Sequence, residues 1–401
     1  MDATTNDSTV VFRGLNSLST LTGSHTLDNV RIDSNSATAF TWTIASGTTL
    51  TVAGNMTVDN TSTGSITINT GTITVQGNLT TTTDIAGSAL ITLSGGNSQS
   101  INAAELTTGL FTVNKTVGTV ATLAAALPVS ATGQDFTFTA GTLDLAGFNL
   151  TVNDVFTLDA SATLRLQGGE TVSAIDTVTS GSTVIYNGTG SYTTSLAAGN
   201  TYSNLTFNGA GSWQHASILD VNGNLTITSG TLNSNGQNIT LAGNWANTGT
   251  FTEQTGTVTF DGAVAQTLTG ETFYNLTIAN THASPSSTND VESSAAVTVT
   301  NNLAVDDGQF SYFTASDIDG NVTVASGATL TPAASGGTLT VAGNWTNSGT
   351  FTANSGTVTC DAAVAQTLTG ETFYNLTINN THAAPDDTND VESTAAVTVT
   401  N

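Results

Sequence analysis

The nonapeptide GETFYNLTI occurs at residues 270–278 and again at residues 370–378. Its Leu-Thr-Ile segment places apolar residues on both sides of a threonine, which is the period-two pattern of a half-buried β-strand. The nonapeptide belongs to a longer match between 243–301 and 343–401, in which roughly four residues in five are identical without a gap. A repeat with a fixed period therefore governs the second half of the chain.

Weaker copies of the same two-strand cassette occur upstream. VVFRG (10–14) leads to LTGSHTLDNVRI (21–32), ITLSG (91–95) leads to LFTV (110–113), and TVIYNG (183–188) leads to TYSNLTF (201–207). Between and within the cassettes, apolar–Thr–apolar triplets recur at a spacing that is mostly about 17–21 residues, which is typical of a strand followed by a turn. We predict diverged coils over 1–208, a repeat unit over 209–301 and another over 302–401, all within one continuous solenoid.

Two architectures fit threonine-rich β repeats. The strands of an Ig-like β-sandwich each have a distinct place, whereas the coils of a solenoid resemble one another, as the strands here do. The cassettes begin at 183, 257 and 357, so their spacing varies, and a solenoid can gain or lose a coil more easily than a sandwich can lose strands. We predict an all-β parallel β-helix (β-solenoid), right-handed, with coils of about 17–21 residues. Tandem Ig-like β-sandwiches are the alternative.

The solenoid prediction assigns a role to the repeated apolar and aromatic residues. They are expected to stack inside the coils, and they are Phe273, Leu276, Ile278, Phe373, Leu376, Ile378, Trp245 and Trp345. The Gly-Asn steps between strands, such as Gly243-Asn244 and Gly343-Asn344, are expected to form tight turns.

The composition restricts the possible partners. Lysine and arginine number 4 against 29 acids, giving a formal net charge of −25. A nucleic-acid partner is excluded because no basic stripe exists to neutralise phosphates, and anionic lipid would be repelled. No run of 18 apolar residues is present, so we predict no membrane insertion in this segment. Roughly one residue in five is threonine, which favours strands.

Acidic clusters are the candidate metal ligands. Oxygen-rich turns near glycine suit Ca²⁺, a hard cation that takes six to eight oxygen ligands. The candidates are Asp386, Asp387, Asn389, Asp390, Glu392, Asp306 and Asp307. Ser286 and Ser287 replace the first two aspartates in the sister copy, which favours solvated acidic loops over a site common to the repeats. Calcium is the one cofactor for which the sequence offers candidate ligands.

Catalytic chemistry has little support in this sequence. The four histidines are interpreted as turn residues, because none lies near a cysteine or a second histidine at ligand spacing. Cys360 replaces Phe260 in the repeat and is expected to be a small buried apolar residue. We therefore predict that the chain is not an enzyme. Asn-x-Ser/Thr sequons are numerous, as expected by chance in a chain rich in asparagine and threonine.

The stretch GNWTNSGTFTANSGTVT, followed by QTLTGETFYNLTI, resembles the repeats of very large prokaryotic cell-surface proteins. These include filamentous-haemagglutinin-like adhesins and related secreted β-helix proteins. The resemblance implies export, a β-helical rod, and a role in adhesion, surface coating or filament building. The first residues lack the basic start and apolar stretch of a signal peptide, which predicts a mature or excised segment.

These observations lead to one functional hypothesis and two alternatives. We expect a structural extracellular or cell-surface repeat protein, forming a rod that assembles end to end or laterally with copies of itself into a filament, fibre or surface layer. The first alternative is an adhesin stalk that binds a host receptor or glycan, with 160–220 as the candidate region because Arg165, Trp213 and His215 interrupt the pattern there. The least favoured alternative is a polysaccharide-acting β-helix enzyme.

Overall fold

The structure is a computed structural model that describes residues 7–14, 17–34, 39–60, 64–104, 106–107, 109–130, 133–282, 290–382 and 390–401. The described residues form strands and turns with no helix, and the strands stack in parallel as a β-solenoid of about 17 turns. The predicted fold class is confirmed. Strand pairs that are all parallel are incompatible with the alternative of Ig-like sandwiches, which are antiparallel.

The chain divides into two compact units, one made of Met1–Gly190 with Ala197–Gly199 and one made of Ser191–Leu196 with Asn200–Asn401. The strands of the first unit are β1 (Thr9–Gly14), β2 (His25–Leu27), β3 (Asn29–Ser34), β4 (Phe40–Thr43), β5 (Thr49–Val52), β6 (Met56–Asn60), β7 (Ile66–Asn69), β8 (Thr72–Val75), β9 (Leu79–Thr81), β10 (Ile85–Gly87), β11 (Leu90–Gly95), β12 (Gln99–Asn102), β13 (Leu106–Thr107), β14 (Phe111–Lys115), β15 (Val120–Leu123), β16 (Leu127–Val129), β17 (Phe136–Asp144), β18 (Leu150–Val152), β19 (Phe156–Leu166), β20 (Thr177–Val178) and β21 (Thr183–Tyr186).

The strands of the second unit are β22 (Ser191–Tyr192), β23 (Thr201–Tyr202), β24 (Asn204–Gln214), β25 (Leu219–Val221), β26 (Leu225–Asn233), β27 (Ile239–Leu241), β28 (Trp245–Asn247), β29 (Thr250–Thr252), β30 (Thr257–Phe260), β31 (Gln266–Leu268), β32 (Thr272–Phe273), β33 (Asn275–Ala279), β34 (Val291–Ser293), β35 (Thr298–Val299), β36 (Leu303–Asp307), β37 (Gln309–Tyr312), β38 (Ser316–Ile318), β39 (Val322–Val324), β40 (Thr329–Pro332), β41 (Thr338–Val341), β42 (Trp345–Asn347), β43 (Thr350–Phe351), β44 (Thr357–Cys360), β45 (Gln366–Leu368), β46 (Thr372–Phe373), β47 (Asn375–Ile378), β48 (Val391–Ser393) and β49 (Thr398–Val399).

In the first unit a coil contributes strands to three parallel ladders. One ladder runs β1, β3, β6, β9, β12, β15, β17, β19 and β21, and a second runs β2, β5, β8, β11, β14, β17, β19 and β20. The long strands β17 and β19 bend between these two ladders and belong to both. The third ladder runs β4, β7, β10, β13, β16 and β18.

The second unit repeats this plan. One ladder runs β24, β26, β28, β31, β34, β37, β40 and β43, and another runs β23, β25, β27, β30, β33, β36, β39, β42, β45 and β48. The ladder between them in chain order contains β32, β35, β38, β41, β44 and β47. The chain therefore visits three sheets in turn, with about three strands in each coil.

Alternating side chains fill the interior of the coils. In β33, Leu276 and Ile278 have no exposed surface, whereas Thr277 between them points outward and is partly exposed. The same alternation holds in β8, where Ile73 and Val75 are buried. Apolar burial of this kind contributes about 25 cal/mol for each Å² removed from water. Because the alternation recurs in strands of both units, the apolar core is distributed along the coils.

Coil length varies more than the predicted 17–21 residues. Val258 pairs with Leu276, which is 18 residues further on, but Leu276 pairs with Leu303, which is 27 residues further on. The extra residues of the longer coil lie between β33 and β34, because both strands remain in their ladders. Both ladders continue on either side of the extra residues, with a register shift between Ile278 and Ala279.

The hundred-residue repeat does not contain a whole number of coils. The strand of Trp245, β28, pairs with β26 and β31, whereas the strand of Trp345, β42, belongs to the ladder of β39 and β45. Strand β42 is the fourteenth strand after β28, which at three strands per coil makes four and two-thirds coils. The second copy of the repeat therefore lies on a different sheet from the first.

Candidate functional site

Glu271 is the only charged residue of the first nonapeptide, and it joins neighbouring coils. Its Oε2 accepts hydrogen bonds from Trp245 Nε1 at 3.3 Å and from Asn247 Nδ2, and its Oε1 accepts one from the Thr272 backbone N–H at 3.0 Å. Burial raises the pKa of Glu271, although these hydrogen bonds act in the opposite direction. The repeated glutamate is therefore a structural acceptor that is already occupied by its own chain.

Aromatic side chains pack beside this link. The rings of Trp245 and Phe251 lie 4.9 Å apart, and those of Trp245 and Phe273 lie 5.4 Å apart, both in edge-to-face geometry. Such pairs contribute about 0.5–1.5 kcal/mol beyond their buried area. The predicted packing role of Trp245 thus agrees with a side chain that is 1% exposed.

The second copy rebuilds most of the arrangement. Asn347 Nδ2 donates to Glu371 Oε2, and the Thr372 N–H donates to Glu371 Oε1 at 2.8 Å. Trp345 packs edge-to-face on Phe351 at 4.9 Å. One bond is missing, because Trp345 Nε1 is buried without a hydrogen-bond partner among the described residues.

The predicted stacking residues differ in burial between the copies. Phe273 and Phe373 both have no exposed surface, as do Leu276 and Ile278. Leu376 is partly exposed, however, and Ile378 is 51% exposed. The difference follows the ladder, since β33 pairs with β30 and β36 whereas β47 pairs with β44 alone among the described strands.

A buried glutamine lies just before each nonapeptide and bonds to the preceding coil. Gln266 Nε2 donates to the carbonyl oxygens of Leu241 at 2.9 Å and Gly243 at 2.6 Å, both in the preceding coil. Gln366 Nε2 makes the equivalent bonds to Val341 and Gly343 at 3.0 and 2.8 Å. Both glutamines are 1% exposed. The repeat thus uses its buried amides to bond the backbone carbonyls of the preceding coil.

Asparagine ladders run along the outside of both units. In each ladder the Oδ1 of one asparagine accepts the backbone N–H of the equivalent residue in the next coil. In the first unit Asn29 accepts from Asn55, Asn55 from Asn78, and Asn78 from Ser100, each at 2.8 Å. In the second unit Asn204 accepts from Asn224, Asn224 from Asn244, and Asn244 from Thr267, at 3.0, 2.9 and 2.7 Å.

The sequence interpretation of the Gly-Asn steps as simple turns missed these ladders. The signal was the recurrence of Gly-Asn directly before a large apolar residue, as in GNM, GNL and GNW. The glycine is required because a Cβ at Gly243 would meet the backbone of Gly223 in the preceding coil. The asparagine is required because its Oδ1 accepts an N–H of the next coil beside the start of a strand.

The calcium candidates are not brought together by the described part of the structure. Asp386, Asp387 and Asn389 lie outside the described residues. Asp306 and Asp307 are exposed, and Asp307 Oδ1 accepts the N–H of Gly308 at 2.8 Å.

The two remaining calcium candidates lie near the second copy of the repeat. Asp390 lies beside His382 at 3.5 Å, and Glu392 is on β48, where it pairs with Thr367. Within the described ranges, no group of three or more His, Cys, Asp or Glu side chains is arranged to hold a metal ion. Calcium binding stays a prediction.

One histidine–aspartate pair lies between β33 and β34, and another lies between β47 and β48. His282 Nδ1 lies 3.0 Å from Asp290 Oδ1, and the other oxygen of Asp290 accepts the N–H of Gln309 at 2.8 Å. The second copy has the same pair, His382 and Asp390, at 3.5 Å. His282 and His382 lie outside the strands, but His25 begins β2, so the interpretation of all four histidines as turn residues is wrong for His25.

Three potentially reactive side chains are buried. Lys115 is 2% exposed and donates to the carbonyl oxygens of Ser94 and Asn97, and desolvation lowers its pKa to about 8. Burial lowers the pKa of His215 and raises the pKa of the Cys360 thiol to about 11. Each is enclosed within a coil and offers no surface to a substrate.

The side chains singled out in 160–220 are also engaged within their own units. Arg165 lies 3.1 Å from Asp144 of the preceding coil. In the second unit, Trp213 is 1% exposed and packs on Phe207 at 5.3 Å, and His215 has no exposed surface. These three residues, which suggested a receptor or glycan site, therefore serve coil packing.

Comparison with protein-family models, curated proteins and solved structures gives no match. The described residues contain no helix that is long and apolar enough to cross a membrane. The function is therefore inferred from the fold.

Proposed function

We propose that this chain is a structural repeat segment of an extracellular or cell-surface protein, and that its coils form a rod that assembles into a filament, fibre or surface layer. The resemblance to filamentous-haemagglutinin-like repeat proteins supports the proposal. The coil-to-coil hydrogen bonds support it further, because the most repetitive residues serve cohesion rather than a single irregular site. A chain of such coils can be extended at little cost, since each coil contacts mainly its neighbours.

The observation that carries the proposal is a column of threonines on the outside of the first unit. Strand register places one threonine at the same outward position in eight successive coils, namely Thr26, Thr51, Thr74, Thr92, Thr112, Thr137, Thr157 and Thr177. Neighbouring strands are about 4.8 Å apart, so the hydroxyls form a regular and uncharged row. A uniform outer surface of this kind suits packing into a coat or bundle.

Charge supports an assembly that depends on cations. The sequence contains no lysine or arginine after Arg165, whereas acids continue to Glu392. Rods with a net charge of −25 repel one another at low ionic strength. Divalent cations can bridge carboxylates of neighbouring rods, because Ca²⁺ accepts oxygen ligands from several directions.

Negative-stain electron microscopy of the purified chain tests the proposal. Grids are prepared with and without millimolar Ca²⁺, at low and at physiological ionic strength. Filaments or lateral bundles with a regular spacing are the expected result, and they should increase with Ca²⁺ and be dispersed by a chelator. Single particles under all four conditions would overturn self-assembly of this segment.

Adhesion is a second candidate function, with the chain acting as the stalk of an adhesin that contacts a glycan. The residues first suspected in 160–220 do not favour it, because they are buried or paired. An uncharged cleft on the second unit does favour it.

A further inference from the structure

A cleft of about 480 Å³ lies on the outer surface of the second unit, over strands β26, β28 and β31. It is bounded by two outward columns, one of Asn224, Asn244 and Thr267 and one of Thr226, Ala246 and Thr269. Trp245 and Leu268 also border it, but their side chains are buried, so the accessible apolar surface is that of Ala246 and of the threonine methyl groups. The cleft exists because Ala246 is the small member of its column and leaves a gap between two threonines.

The polar groups of the cleft are fixed in direction and available to a ligand. The Oδ1 atoms of Asn224 and Asn244 accept backbone N–H groups at 2.9 and 2.7 Å, which fixes both side chains. Their Nδ2 groups make no hydrogen bond to a described residue and remain as donors. The hydroxyls of Thr226 and Thr267 can donate or accept. The cleft therefore presents a rigid set of donors and acceptors around the methyl group of Ala246.

The charge of the cleft restricts its ligand. No ionisable side chain lines it, and the next residue in the asparagine column is Glu292. An anionic ligand would be repelled by this carboxylate and by the acidic chain around it. A cationic ligand would find no carboxylate within the cleft. A neutral molecule that carries both hydroxyl groups and apolar C–H faces matches the lining best.

We propose that this cleft binds a neutral oligosaccharide. Sugar hydroxyls would accept from the amide groups of Asn224 and Asn244 and exchange hydrogen bonds with the neighbouring threonines. The C–H face of the ring would cover the methyl groups of Ala246 and of the neighbouring threonines. Binding sites of small molecules commonly combine an apolar surface with a few placed polar groups in this way. The proposal does not depend on whether the chain assembles into filaments.

The second copy of the repeat supplies a natural comparison. Its corresponding columns are Asn321, Asn344 and Thr367 on one side and Thr323, Thr346 and Thr369 on the other. The lining differs at the central position, where Thr346 replaces Ala246 and adds a hydroxyl and a methyl group to the floor of the gap. The exchange Ala246→Thr therefore introduces a residue that the same fold already accommodates one repeat later.

Saturation-transfer-difference NMR of the full chain tests the proposal. The probes are the neutral hexasaccharides of cellulose, starch and chitin, with hexagalacturonate as the anionic control and a neutral Gly-Ser peptide as the non-sugar control. We expect saturation transfer to at least one neutral sugar and weak or absent transfer to both controls. The Ala246→Thr variant should weaken sugar binding by roughly tenfold or more, because small groups that fill a pocket cost factors of this size. The reverse exchange, Thr346→Ala, should strengthen total binding.

Three results would overturn the proposal. The first is the absence of transfer to every neutral hexasaccharide at millimolar concentration. The second is equal binding by wild type and Ala246→Thr, which would place any sugar elsewhere on the chain. The third is stronger binding of hexagalacturonate or of the peptide than of any neutral sugar. Circular dichroism of the two variants checks that both keep the strand content of the wild type.

Discussion

Residues 270–278 and 370–378 have the same sequence, but Leu276 and Ile278 are fully buried whereas Ile378 is 51% exposed. Their local geometry is alike, since both segments form a strand that begins at an asparagine and pairs in parallel with the preceding coil. They differ in the coil that follows. Strand β33 is covered by β36, whereas β47 has no described strand on that side.

The comparison separates what the nonapeptide specifies from what its neighbours supply. The sequence specifies the strand, its register and the inward direction of the apolar residues. The next coil supplies the burial. Stability in such a fold is close to a sum over neighbouring coils, so identical residues should contribute different free energies in the two copies.

Truncating the central leucine gives the largest expected difference. Leu276→Ala should lower the free energy of unfolding of the second unit by about 3 kcal/mol, because it leaves a cavity in a closed core. Leu376→Ala should cost about 1 kcal/mol, since the side chain is already partly exposed. Urea unfolding followed by tryptophan fluorescence measures both variants against wild type. Equal losses would mean that the nonapeptide stabilises itself locally, and would contradict the neighbour-based account.

Removing the glutamate link should have the next largest effect. Glu271→Ala leaves Trp245 Nε1 and Asn247 Nδ2 without their acceptor. Leaving such donors unpaired costs about 1–2 kcal/mol in the free energy of unfolding. Glu371→Ala deprives Asn347 Nδ2 and the Thr372 N–H of their acceptor but leaves the tryptophan unaffected, because Trp345 Nε1 does not bond to the carboxylate. Glu371→Ala should therefore lower the free energy of unfolding less than Glu271→Ala does. The urea midpoints of the two variants measure the difference.

The pH dependence of stability gives the glutamate experiment a second readout. Burial raises the pKa of Glu271 in the folded state above its ordinary value. Its contribution to stability is therefore fully present below the ordinary pKa of glutamic acid and is lost as the pH rises through the folded pKa. The variant Glu271→Gln cannot titrate, so its urea midpoint should change less than that of wild type between acid and neutral pH. An unchanged pH profile would show that the carboxyl group is not desolvated.

The period-two triplets were sufficient to predict the strands and their inward faces. Val258, Leu276 and Cys360 all lie inside the coils, as the alternation requires. The cycle of three sheets and the variable coil length were not predictable in the same way. The sequence between β33 and β34 is long although both strands stay in their ladders, so the 27-residue step from Leu276 to Leu303 has no strict counterpart in the hydrophobic pattern.

The polar links were harder to predict than the core. Glu271, Gln266 and Asn244 each bond to residues more than 20 positions away in the sequence. A local pattern does not reveal such partners, because the coil length that brings them together is itself variable. The sequence does show that these polar residues recur in both copies of the repeat. A polar residue that is repeated at a coil corner therefore indicates a hydrogen bond between coils. The cleft at Ala246 depends on one small residue in a column, which only the register identifies.

Removing one asparagine of the ladder should have the smallest effect on the free energy of unfolding. The effect should also be similar in the two copies of the repeat. Asn244 accepts the N–H of Thr267 at 2.7 Å, and Asn344 accepts the N–H of Thr367 at 2.8 Å. Both asparagines have a described coil on each side, unlike the two nonapeptide leucines. Asn244→Ala and Asn344→Ala should therefore each lower the free energy of unfolding by about 1 kcal/mol.

Hydrogen exchange provides the direct measurement of the ladder. The amide of Thr267 should exchange faster in Asn244→Ala, and the amide of Thr367 in Asn344→Ala, while each remains protected in the other variant. Asn→Asp at either position is the matched control, because a carboxylate oxygen can still accept the same N–H. If the two alanine variants differed as strongly as the two leucine variants, coverage by the next coil would not be the cause of the leucine difference. Similar losses at the asparagines, beside unequal losses at the leucines, would identify the neighbouring coil as the source of the contrast between the two copies.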